Sequence, residues 1–106
     1  MEESKFLVQA NKEIDRMVIV LKMVRIIESN QPIGIIKLSE MSGLPRHRVR
    51  YILRLLELEG VLGPSKSGCV LTAGYKDFVD CQIEGLRRLG DRIGSLEKEL
   101  SDESGA

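Results

Sequence analysis

Glycine and proline are spread so unevenly over this 106-residue chain that they dictate where helices can run and where the backbone must turn. Neither occurs from Ser4 to Ser29. In that stretch Leu7, Ala10, Ile14, Met17, Leu21 and Val24 alternate steps of three and four, the spacing of one helical stripe. Val18, Ile19, Val20, Ile26 and Ile27 widen the stripe until the second half is apolar nearly all round, so that half is expected in the core. Ser29-Asn30-Gln31-Pro32 ends the helix, because the residue before a proline is pushed out of helical angles.

Beyond Pro32 the breakers come often. Ile33 to Ile36 reads as a stub of strand, and Lys37 to Ser42 as a helix of one to two turns stopped by Gly43. Pro45 suits a first helical turn, and Arg46 to Glu59 reads as a strong helix ended by Gly60. Val61-Leu62 and Cys69-Val70-Leu71 flank the turn-forming run Gly63 to Gly68, which predicts a β-hairpin. Thr72 is the expected N-cap of a last long helix. There Val79, Leu86, Ile93 and Leu100 recur every seven residues, with Tyr75, Gln82, Leu89 and Leu96 between them, as in a coiled coil. Ser101 to Ala106 is expected to fray. The expected class is mainly α with a small β-hairpin. It has an N-terminal helix over 1–31, a central segment over 32–72 and a C-terminal coiled-coil helix over 73–106.

Composition narrows the function. Aromatic residues are 4% and tryptophan is absent, so Leu, Ile, Val and Met must build the core, which suits packed helices. Cys69 and Cys81 match no metal or redox spacing and read as reduced thiols of a cytoplasmic protein. The start MEESKF lacks the apolar stretch of a signal peptide, and the run Met17 to Leu21 is too short to span a bilayer. There is no glycine-rich phosphate loop, no carboxylate pair in an apolar setting and no nucleophile triad, so an enzyme is not expected. His47 has no second histidine or nearby cysteine at ligand spacing, and neither metal nor cofactor is expected.

The formal net charge is zero, yet Leu44 to Leu56 holds four arginines, one histidine and no acid. A bound phosphate responds to charge within about 8–10 Å, so this local excess outweighs the sum. Two short helices that cross steeply need a small residue where they touch, here Ser39, and a turn residue free to go left-handed, here Gly43. Met41 and Leu44 are expected to add to the core. Val49, Leu53 and Leu56 form the inner side of the second helix. At 100° per residue, His47, Arg50, Tyr51, Arg54 and Leu58 then face outward. Arginine can donate two hydrogen bonds to guanine, while Arg46 and Arg48, nearer the edges, suit the sugar-phosphate backbone. For His47, contact with nucleic acid and simple exposure are both open.

The run LSEMSGLPRHRVRYILRLLELEGVL, with GPSKSG and VLT after it, resembles winged helix-turn-helix transcriptional regulators, in particular small predicted regulators of archaea. The resemblance covers roughly Pro32 to Gly74. It implies that the second helix enters the major groove and the hairpin lies over adjacent backbone or minor groove. It also implies that Arg46, His47, Arg50, Tyr51 and Arg54 read DNA while Lys66 at the wing tip contacts phosphate. The chain departs from the pattern at Ser39, where alanine is usual, and at Ser42, where a buried apolar residue is common.

In the last helix, Val79, Leu86, Leu89, Ile93, Leu96 and Leu100 extend past any compact core of this kind, and a second copy is the simplest cover, with the N-terminal helix over 1–31 sharing the dimer contacts. A fold back onto its own domain is the other course. The expected function is a sequence-specific regulator that binds double-stranded DNA as a homodimer. The alternative is a winged-helix module that docks proteins and ignores DNA, which the zero net charge and the single wing cation favour.

Overall fold

The computed structural model describes residues 3–105, so Met1 and Glu2 of the polar start and Ala106 of the expected frayed tail lie outside the described residues. Four helices and one hairpin follow in order: α1 (Lys5–Asn30), α2 (Ile35–Ser42), α3 (Arg46–Leu58), β1 (Leu62–Ser65), β2 (Gly68–Leu71) and α4 (Tyr75–Gly105). The described chain is therefore mainly helical, and it divides into two compact units that part between Ala73 and Gly74. No helix among the described residues is long and apolar enough to cross a membrane.

In the first unit, α1 starts where the Ser4 hydroxyl accepts the Phe6 N–H at 3.2 Å, and it ends as Gln31 turns extended ahead of Pro32. Only its second half reaches the core, through Met23, Val24 and Ile27. Phe6, Leu7, Ile14 and Val18 stay exposed, Phe6 at 88%. The stripe is continuous in sequence, but its cover is not.

The expected strand stub shrinks to one residue. Ile33 forms an isolated antiparallel bridge with Cys69, donating to its carbonyl at 3.2 Å and accepting from its N–H at 2.8 Å. Gly34 then caps α2, which begins at Ile35, two residues before the expected Lys37. The Gln31 side-chain carbonyl accepts the Leu71 N–H at 2.8 Å. β2 is thus flanked by residues 31–33 as well as by β1, which ties the hairpin to the helices.

The turn from α2 to α3 depends on Gly43, at φ 75°, whose N–H donates to the Ser39 carbonyl at 3.0 Å. The Ser39 hydroxyl donates to the Leu44 carbonyl at 2.6 Å, and the Ser42 hydroxyl accepts the Leu44 N–H at 3.2 Å. Ser42 therefore needs no apolar replacement, because its oxygen satisfies a turn amide that would otherwise be half-buried without a partner. Leu38, fully buried, is the central side chain of α2, which packs between α1 and α3. The expected core residue Met41 is instead 44% exposed, since so short a helix presents one position to both neighbours. Leu44 is half-buried.

On α3 the inner row is Val49, Ile52, Leu53 and Leu56, one aliphatic more than the sequence reading named. Val61, Leu62 and Ile33 complete the core. The hairpin is tighter than expected. Gly63 and Pro64 belong to β1, opposite Val70 and Cys69, and the loop is Lys66-Ser67 alone. Ser65 closes it, donating through its hydroxyl to the Gly68 carbonyl at 2.7 Å and accepting the Ser67 N–H at 3.3 Å. Thr72 follows directly on β2. Its hydroxyl donates to the Gly60 carbonyl at 2.5 Å and its N–H to the Val61 carbonyl at 2.9 Å, which staples the base of the hairpin.

The second unit contains α4, which starts two residues after the expected Ala73 and runs unbroken to Gly105, through the residues expected to fray. None of its residues is fully buried. Leu86, Leu89, Ile93, Leu96 and Leu100 are exposed and Val79 is half-buried.

Two glycines should respond oppositely to alanine in a denaturation series followed by circular dichroism. At Gly68, φ is 130° and an added Cβ would lie 2.5 Å from the Ile33 backbone, so Gly68→Ala should lose at least roughly 1–3 kcal/mol. Around Gly94 there is open space, so Gly94→Ala should gain about 1 kcal/mol of helix stability.

Candidate nucleic-acid interface

The face of α3 opposite the buried row is set by helix geometry alone. Pro45 caps the helix, its carbonyl accepting the N–H groups of Arg48 at 3.0 Å and Val49 at 3.1 Å. With Val49, Ile52, Leu53 and Leu56 turned inward, Arg46, His47, Arg48, Arg50, Tyr51 and Arg54 are all exposed. Leu58 ends this face, 80% exposed. Lys66 is exposed in the hairpin loop.

Among the described residues, none of the four guanidinium groups on α3 is paired with a carboxylate; the ion pairs present are Glu13–Arg16 and Glu84–Arg88. Arg46, Arg50 and Arg54 follow one another at intervals of four, which brings like charges one turn apart. Such a row repels itself slightly and attracts any polyanion that can lie along it. The groups also keep their donors free, since arginine has five N–H bonds and no acceptor.

Tyr51 differs from its neighbours. Its phenolic oxygen accepts a hydrogen bond from Arg16 of α1 at 2.6 Å, and the Arg16 guanidinium carbon lies 5.6 Å from the ring centre. Arg16 also stands 3.9 Å from Glu13, one turn away on its own helix. Sequence reasoning missed Arg16, because 35 positions separate the two residues and no periodicity within either helix links them.

Cys69 and Cys81 are free thiols, and they lie in different units. Burial, with the Glu57 carboxylate as the second cause, pushes the Cys69 thiol up from its ordinary value. Among the described residues no group of three His, Cys, Asp or Glu side chains is placed to hold a metal ion. Val79, Leu86, Leu89, Ile93, Leu96 and Leu100, the expected dimer residues, all lie on α4. In comparisons with known proteins, no family pattern matches the chain and no curated protein matches it.

The raised Cys69 value means less thiolate, and hence slower alkylation, at mildly alkaline pH. In the folded protein iodoacetamide should therefore label exposed Cys81 before half-buried Cys69, with the order lost in denaturant. Peptide mass spectrometry over time would show it, and preferential labelling of Cys69 would contradict it.

Proposed function

We propose that this chain is a transcriptional regulator of winged helix-turn-helix type, which binds double-stranded DNA sequence-specifically as a homodimer in the cytoplasm. In this reading α2 and α3 form the helix-turn-helix, β1 and β2 the wing, and α4 the coiled-coil dimerisation helix. It performs no catalysis and needs no cofactor.

The observation that carries the reading is the divided surface of α3. Four aliphatic side chains are buried on one side, while four arginines, with no carboxylate partner among the described residues, and His47 are exposed on the rest. The aliphatic row fixes the helix against the core, so the arginines are presented on a rigid element. Arg50 and Arg54 on the outward face are the base-reading candidates, and Arg46, Arg48 and Lys66 the phosphate contacts.

Dimerisation is supported by the leucine-rich seam of α4. Leu96 is 60% exposed and Leu100 67%, and covering each such side chain stabilises by about 1.5–3 kcal/mol. A two-fold pair would present two α3 helices to successive major grooves about 34 Å apart, on a near-palindromic site.

Selection from randomised duplexes, followed by titration, tests the binding. On the selected site Arg50→Ala and Arg54→Ala should each cost on the order of 1–3 kcal/mol and relax the preference at single base positions. Affinity for any duplex should fall steeply as salt rises. Failure of the native protein to bind duplexes at low salt would leave the protein-docking reading, which the zero net charge favours. Subunit count is tested separately by sedimentation. The native chain should be a dimer, and Leu89→Glu combined with Leu96→Glu should give monomers with α3 intact.

A further inference from the structure

From the Arg16–Tyr51 contact we infer that α1 contributes to the same surface as α3: the two side chains form a clamp for a DNA backbone phosphate, and Tyr51 does not read bases. This rests on the duplex-binding reading proposed above and assigns one part of that surface to a second helix.

The chemistry follows from the hydrogen-bond inventory. The Tyr51 oxygen accepts from Arg16 at 2.6 Å, so its own O–H must be donated elsewhere. Accepting from a cation polarises the hydroxyl and makes it a better donor. The Arg16 guanidinium uses one terminal nitrogen on Tyr51, while the other stands 3.9 Å from Glu13, too far for a hydrogen bond. Its remaining N–H groups are left for another acceptor. A phosphate diester carries two non-bridging oxygens that accept hydrogen bonds, and a neighbouring O–H and guanidinium suit it well.

Placement agrees. Arg48 lies three residues before Tyr51, only 60° away around α3, and belongs to the same flank. Both Arg16 and Tyr51 are exposed, Tyr51 at 53%. Arg54, three residues after Tyr51, lies equally 60° away on its other side, so Arg16 adds a cation beside a tyrosine flanked by two arginines of the basic face, where a backbone strand would pass. Glu13 is the internal competitor, a carboxylate that holds part of the guanidinium charge until a phosphate replaces it.

The test compares duplex binding of the native dimer with four variants, on the selected site and on an unrelated duplex, over a range of salt. Arg16→Gln should lose about tenfold on both duplexes alike. Its log-affinity against log-salt slope should shrink by about 0.9 for each protomer bound. Tyr51→Phe keeps the ring under the guanidinium but removes the hydroxyl; it should weaken both duplexes equally and leave the slope nearly native. Glu13→Gln should tighten binding by about two- to fivefold, a gain that partial unfolding cannot produce. Arg25→Gln is the control, since Arg25 is exposed nine positions on, on the opposite side of α1, and should keep the native slope.

The clamp is overturned if Arg16→Gln binds as native does, if Tyr51→Phe alters base preference, or if Arg25→Gln loses slope equally. If instead the native protein binds no duplex at low salt, the underlying regulator reading falls and the clamp falls with it.

Discussion

Burial of one short aliphatic row on α3 is the constraint from which the rest of the first unit follows. Val49, Ile52, Leu53 and Leu56 span two turns and are all buried, with Leu38 of α2 and β1 packed beside the helix. A thirteen-residue helix would be marginal on its own in water, so this contact is what keeps it formed. Because the row occupies one side, the charged residues have nowhere to go but out. The exposed arginines are therefore a consequence of packing as much as of their own hydration.

The polar bonds around that core are few and local, and each answers a specific backbone need. Ser39 and Ser42 satisfy the two main-chain groups of Leu44 in the turn. Thr72 and Gln31 hold the base of the hairpin and the free side of β2. Ile33 supplies two backbone bonds to Cys69 and sits so close to Gly68 that no side chain fits there. A hairpin of four-residue strands is marginal in isolation, and these bonds make it part of the helical unit.

Net charge proved a poor guide to the surface. Sixteen basic and sixteen acidic residues cancel over the whole chain, yet the four arginines of α3 face solvent with no carboxylate paired to them among the described residues. Their field acts over a Debye length, which is shorter than the separation of most charges in a protein of this size. The proposed duplex interface depends on that local arrangement. The proposed clamp adds a cation from α1, whose link to α3 is a single side-chain contact between helices.

Much of this was legible beforehand, because helix periodicity and glycine or proline breaks are local. The bounds of α1 and α3, the left-handed Gly43 and, Ile52 apart, the inner row on α3 all follow from spacing within a few residues. What the sequence could not decide was which apolar residues find cover. Val18 and Met23 both lie in the apolar half of α1, yet only Met23 is buried; Leu38 rather than Met41 is the buried side chain of α2; and the Thr72 hydroxyl reaches back to Gly60. Arg16 beside Tyr51 belongs to the same class. Each of these is a meeting of residues far apart in the chain or a competition for one space, and such outcomes depend on how elements pack, which no short-range pattern encodes.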